Sequence, residues 1–303
     1  MGVANRKLSW QVIGRAVRGA LHRRSGTPLQ DAIRWSPANG DDASLVLSLA
    51  DGHGWPLCLR SQIGAELAVE TATLLLQEFH SRHPSYEISG LQHSAEEQIP
   101  KELIIRWRQA VARHLEEYPF APDELETLGK KMGPMAQRAL EADPFLAYGS
   151  TVLGVLATPS FVLFLQLGDG DLLIISRTGE TERPWPRDSR LLGVETTSLC
   201  MPQAWNEVRL GVQKISKKSP ELLLLCTDGY SNSFREEEGF LDVGRDFLEM
   251  LRSDGIEKVN ESLEQWLTET TDSGSGDDVS VGLLWRTTES AEEPDLAESP
   301  LTH

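Results

Sequence analysis

The sequence predicts an α+β domain, and three features predict it: apolar runs that end in Asp-Gly, a crowded series of short strands between residues 150 and 176, and amphipathic helical windows grouped apart from them. The pivotal stretch is Leu45 to Gly54, Leu-Val-Leu-Ser-Leu-Ala-Asp-Gly-His-Gly, where a buried-strand pattern stops at a carboxylate and two glycines permit a sharp turn around an imidazole. A lone Asp-Gly is an ordinary turn. Here the pattern recurs at Phe161 to Gly170 and at Leu222 to Gly229, and Gly276-Asp277-Asp278 opens a further apolar run. Repetition points to a shared site.

Trp10 to Val17 has the weak alternation of a first strand, and Gly19 to Asp31 reads as a loop because Pro28 opposes helix. Ser44 to Ala50 is the second strand. From Ser61 to His80, Ile63, Leu67, Thr71, Leu74 and Leu75 keep helical spacing, which predicts a helix lying on a sheet. Residues Ser94 to Leu140 are helical again, with Leu103, Trp107, Val111 and Leu115 in one stripe and a break from Tyr118-Pro119 to Pro122. This region, about 94–142, is expected as a helical insertion over one edge of the core, and its tryptophan stripe as packing. Ser150 to Ala157, Ser160 to Leu167 and Asp171 to Ser176 predict a three-stranded antiparallel meander. Glu180 to Gln203 is irregular. Strands are then expected at Glu207 to Val212, Glu221 to Cys226 and Val279 to Trp285, with helices at Glu237 to Arg252 and Gly255 to Glu269. One domain, residues 1–286, is expected; residues 287–303, rich in Thr, Ser, Glu and Pro, read as an acidic disordered tail that cannot bury enough apolar area to offset chain entropy.

Composition narrows the partners. A formal charge of −17 argues against nucleic acid and anionic membranes, which need clustered Lys and Arg. Three cysteines, Cys58, Cys200 and Cys226, without Cys-x-x-Cys spacing suggest neither a disulfide framework nor a zinc ribbon, so a reducing, cytoplasmic setting is expected. No window approaches the roughly 20 apolar residues of a membrane span. The Asp169-Gly170-Asp171 run fails as an EF-hand because Leu173 and Ile174 occupy positions that need an oxygen ligand and a glycine, His80 and His83 lack a third partner, and phosphate-loop and nucleophile-elbow motifs are missing.

The chemistry therefore rests on Asp31, Asp51, Asp169, Asp228 and Asp277, each beside a glycine or a turn. Carboxylates that converge repel one another unless a cation or shared protons intervene. An all-oxygen donor set without cysteine favours a hard ion, Mg²⁺ or Mn²⁺.

Six blocks, Gln30-Asp31-Ala32, Ala50-Asp51-Gly52-His53-Gly54, Tyr148-Gly149-Ser150-Thr151, Gln166-Leu167-Gly168-Asp169, Cys226-Thr227-Asp228-Gly229 and Gly276-Asp277-Asp278-Val279-Ser280, occur in an order and at distances that resemble metal-dependent type 2C (PPM-type) serine/threonine protein phosphatases, with bacterial members most similar. The resemblance runs from about Trp10 to Arg286. It implies a four-layer α-β-β-α sandwich of two antiparallel sheets flanked by helices. It further implies that Asp51 bridges two ions, that the Gly52 carbonyl binds one of them and Asp228 and Asp277 the other, that Asp31 serves directly or through water, and that Asp169 helps a looser third. His53 falls at the general-acid position. Two ions about 4 Å apart would activate a shared water and clamp the phosphoryl oxygens, so no protein nucleophile is required. The implied substrate is a phosphorylated protein, and a cognate Ser/Thr kinase is an implied partner.

Three positions depart from the family pattern. Gln30 stands where many relatives have Glu, and Asn232 stands where an Asp often follows the Thr-Asp-Gly aspartate. The family's phosphate-binding arginine precedes the first motif; Arg23 and Arg24 are the candidates here, with His22 beside them. Two other readings are carried forward: a catalytically silent phosphatase-like binding module, and a metal phosphohydrolase acting on a small phosphate ester.

Overall fold

A computed structural model describes residues 8–37, 41–42, 44–83, 88–187, 196–216 and 219–288. With elements numbered in chain order, one antiparallel sheet runs β3 (Asp41–Asp42), β1 (Leu8–Val17), β11 (Val279–Thr288), β10 (Leu222–Cys226), β7 (Asp171–Ile175) and β8 (Thr181–Glu182). The other runs β2 (Ala32–Ser36), β4 (Leu45–Ala50), β5 (Val152–Ala157), β6 (Phe161–Leu167) and β9 (Arg209–Lys214). The apolar runs lack polar alternation because both faces of their strands are covered. Leu45, Leu47 and Leu49 point between the sheets with Leu153, Val155, Leu223 and Leu225, whereas Val46 and Ala50 lie under α2 (Ser61–Arg82). In the opposite sheet Leu222 and Leu224 face α7 (Glu237–Asp254) and α8 (Ile256–Ser273). Helix, sheet, sheet, helix is thus the layer order, as the resemblance implied.

The predicted helical windows resolve into α3 (Ile88–Glu117), α4 (Pro122–Met132) and α5 (Pro134–Ala142). Helix α3 lies against α2 and the edge strand β9. Its stripe is core: Trp107 is fully buried and its indole N–H donates to the Gly64 carbonyl at 3.0 Å. Trp107→Ala should cost about 3–5 kcal/mol, read as a lower urea midpoint; an unmoved midpoint would put the stripe on the surface.

Three expectations need correction. The 150–176 stretch is not a meander: β5 and β6 pair, but β7 leaves them and pairs with β10, Asp171 opposite Cys226. Gly168, at φ +105°, makes the turn that carries the chain from one sheet to the other. Strand periodicity is the same in either sheet, so the pattern could not reveal the switch. The Gly19 to Asp31 loop holds a short helix, α1 (Ala20–Ser25), which ends on Gly26 in the left-handed conformation before Pro28 can interfere. The last strand continues past Arg286 to Thr288, where Ser9 and Thr287 hydroxyls bond at 2.9 Å. The rest of the expected tail, 289–303, lies outside the described residues.

Candidate metal centre

The acidic residues sit where strands end. Asp51 follows β4, and its backbone is pinned: its N–H donates to Thr151 Oγ1 at 3.0 Å and its carbonyl accepts from the Thr151 N–H at 2.9 Å. Asp169 sits in the turn that crosses between sheets. Asp228 follows β10 and opens α6 (Asp228–Ser231). That placement requires a glycine next, because a Cβ on Gly229 would stand 2.0 Å from the Asp278 carbonyl oxygen. One carboxylate oxygen each from Asp51, Asp169 and Asp228 lie within 4.8 Å of one another. Three residues spread over the chain, from both sheets, meet at one point.

Asp31 and Asp277 complete the surroundings. Asp31 is buried before β2, its Oδ2 accepting from the hydroxyls of Thr227 and Ser280, both at 2.7 Å. Asp277 is half-exposed at the start of β11. Its neighbour Asp278 is buried and ties the site together, accepting from the Gly19 N–H at 2.6 Å, the Gln30 N–H at 2.7 Å and His22 Nδ1 at 2.9 Å. Asp278, Thr227 and Ser280 were not singled out from sequence, although each lies inside a quoted block. The Asp-Asp doublet at a strand start was the available signal for Asp278; the hydroxyl bonds to Asp31 span 196 and 249 residues and left none.

Charge crowding dominates the electrostatics. Burial, reinforced by Asp31, Asp228, Asp169 and Asp277, holds the Asp51 carboxyl well above the ordinary carboxylate range. Asp31 is raised by burial and by Asp278 against its two hydroxyl donors, and Asp169 chiefly by burial. Asp228 is pushed up to about 7 by burial and then by Asp169 and Asp277. Such a cluster retains protons or takes cations. The donors suit a hard cation, and buried Asp169 Oδ1 has no hydrogen-bond partner among the described residues, as an atom reserved for a ligand would.

The remaining predicted residues divide. Gly52 bridges to Ser150 directly beside Asp51. His53 packs its ring against Gly149, where a Cβ would stand 2.9 Å from His53 Cδ2, and burial alone lowers its imidazole to about 4, so it is neutral at physiological pH. Of the two candidate phosphate-binding arginines, Arg23 bonds Asp272 and the Arg18 carbonyl, and Arg24 is exposed on α1. From that helix it is His22 that reaches the acids, with Nε2 3.8 Å from Asp277. Asn232 donates to Asp228 Oδ2 at 3.0 Å, occupying an oxygen that an aspartate there would repel. On the other flank a cavity of about 150 Å³ opens beside Asp169 and Asp228. Arg183 and Arg187 line it and clasp buried Asp171 at 2.7 and 2.8 Å.

Residues 18–268 match the sequence profile of the family described as protein phosphatase 2C. The chain belongs to that family. Its members are metal-dependent hydrolases that remove phosphate from proteins at serine and threonine, and the fold agrees. The catalytic domain of the serine/threonine phosphatase PstP, solved with two manganese ions, superposes with TM-score 0.54 at 17% identity, covering 92% of this chain and 99% of that one. PstP/Ppp of Mycobacterium tuberculosis gives 0.53 at 16% identity, covering 91% and 98%. PppA of Pseudomonas aeruginosa, a regulatory component of its T6SS, gives 0.54 at 15% identity, covering 92% and 100%. Curated protein sequences yield no significant match. Among the described residues no helix is long and apolar enough to cross a membrane.

Proposed function

We propose that this phosphatase hydrolyses phosphoserine and phosphothreonine in proteins with two Mn²⁺ or Mg²⁺ ions seated among Asp51, Asp228, Asp277 and the Gly52 carbonyl. Asp31 supports the seat from behind, held by Thr227 and Ser280, and Asp169 adds a weaker third position. The observation that carries this reading is the meeting of Asp51, Asp169 and Asp228 oxygens within 4.8 Å. When bound, the ions would supply Lewis acidity, activating water at neutral pH and neutralising the phosphoryl oxygens.

The chain's own residues do the rest. Asp278 fixes Gly19, His22 and Gln30 around the site, so α1 and the first motif keep their place as substrate enters. His53, neutral through burial, would hydrogen-bond the departing seryl or threonyl oxygen through an imidazole N–H, while the proton that completes the leaving alcohol comes from the attacking water. Arg183 and Arg187, neutralised by Asp171 and Glu237, shape the cavity wall instead of gripping the phosphate. A cytoplasmic setting fits the three buried free thiols, and a Ser/Thr kinase would supply the substrate.

Phosphate release from a phosphothreonine peptide and from p-nitrophenyl phosphate, each with Mn²⁺ and with EDTA, tests the reading. Turnover of the peptide that EDTA stops is expected. Hydrolysis of the small ester alone would favour a small-molecule phosphohydrolase, and silence toward both would favour a non-catalytic binding module.

A further inference from the structure

A second convergence of ligand atoms shares no residue with the Asp51, Asp169 and Asp228 trio. One atom each from His22, Asp277 and Asp278 lie within 4.8 Å of one another. The His22 side chain is only 17% exposed, and α1 is bolted down around it: the Gly19, Ala20 and Leu21 N–H groups donate to Asp278 Oδ1, Thr271 Oγ1 and the Gly276 carbonyl at 2.6, 3.0 and 2.8 Å. The two carboxylates play different parts. Asp278 is buried and both its oxygens already accept backbone N–H bonds, from Gly19 and Gln30, so His22 Nδ1, 2.9 Å from Oδ1, meets it as an N–H donor. A neutral imidazole that keeps its hydrogen on Nδ1 carries its lone pair on Nε2. That nitrogen has no hydrogen-bond partner among the described residues and stands 3.8 Å from Asp277 Oδ1, beyond hydrogen-bond reach. The Asp278 N–H donates to the same Oδ1 at 2.8 Å and so holds the Asp277 carboxylate in place.

We infer that His22 Nε2 ligates the ion held by Asp277, so that the metal centre carries one nitrogen donor among its oxygens and prefers Mn²⁺ to Mg²⁺. The inference rests on the phosphatase reading above for an ion at Asp277, and it adds a ligand outside that reading's donors, Asp51, Asp228, Asp277 and the Gly52 carbonyl. A lone pair this close to a carboxylate oxygen is repelled unless a cation lies between them. Two donors each about 2.1 Å from one ion can stand up to about 4.2 Å apart, which admits the observed 3.8 Å. The bond from Asp278 to Nδ1 is the arrangement that fixes the tautomer and orientation of a metal-bound histidine. Mg²⁺ favours oxygen ligands, whereas transition ions accept imidazole readily, so the nitrogen supplies the preference.

The test reads the bound ion directly. The full chain, stripped of metal and then loaded with Mn²⁺, should show in pulsed electron paramagnetic resonance the nitrogen modulation of a coordinated imidazole. His22→Asn, whose amide N–H can still donate to Asp278, should lose that modulation, whereas His53→Gln should retain it. Titration calorimetry should find Mn²⁺ bound about tenfold more weakly by His22→Asn, with Mg²⁺ affinity within about threefold of wild type. Wild-type protein that binds Mn²⁺ without nitrogen modulation overturns the inference and leaves the phosphatase reading intact, a result that needs no variant to fold. Modulation that persists in His22→Asn, or equal weakening of both ions, overturns it likewise. Wild-type protein that binds no Mn²⁺ at millimolar concentration overturns the ion seat of the phosphatase reading and this inference with it.

Discussion

Asp228→Asn should lower kcat toward a phosphopeptide by at least about 10³-fold, close to 4 kcal/mol of transition-state stabilisation, and yet raise the melting temperature of the metal-free protein at pH 8. Both halves follow from one position. Asp228 lies with Asp51 and Asp169 inside 4.8 Å, so an amide there removes a charged donor from the proposed cation seat. The same amide removes a buried carboxylate whose pKa stands at about 7, and with it much of the repulsion felt by Asp51. The Asn232 side chain already donates to Asp228 Oδ2 and can do the same to an amide oxygen, so the fold should survive. A variant with near-parental kcat would take Asp228 out of the chemistry; one that unfolds at lower temperature without metal would mean that the carboxylate supports the fold rather than straining it.

That double role explains what the sequence made legible. Asp51, Asp169 and Asp228 announce themselves because each ends an apolar strand and adjoins a glycine, a local pattern. The layers were legible too, since uninterrupted runs such as Leu222 to Cys226 demand cover on both faces. What stayed hidden depends on contacts between distant segments. The departure of β7 from β6 is decided by pairing with β10, fifty residues later, and nothing within residues 161–175 distinguishes the two sheets. Arg23 and Arg24 qualified by position alone. The helix that carries them turns Arg23 toward Asp272 and leaves His22 with Asp278, an outcome fixed by residues some 250 positions away. Tyr148 and Gly149 could be matched to a motif, but their service to α2 and to the His53 ring appears only in three dimensions.

Stability against pH offers a test independent of turnover. Asp228 titrates near 3.8 when unfolded and at about 7 when folded, so the folded state binds more protons across that interval and stability falls as pH rises through it. Holding this carboxylate ionised costs about 4 kcal/mol, and Asp51 and Asp31, also raised, act in the same direction. His53 acts oppositely. Its imidazole drops from 6.5 to about 4 on folding, so the unfolded state binds more protons between those values and stability rises with pH there. The acid cluster is therefore unopposed by His53 only above about pH 6.5, and the melting temperature of EDTA-treated protein should fall between pH 6.5 and 8. Millimolar Mn²⁺ should reverse this, with a larger upward shift at pH 8 than at pH 6, since cations displace protons from the cluster. Asp228→Asn should flatten the metal-free slope and shrink the Mn²⁺ shift together. A melting temperature that ignores Mn²⁺ at pH 8 would contradict a cation seat among these carboxylates whatever the activity assays report.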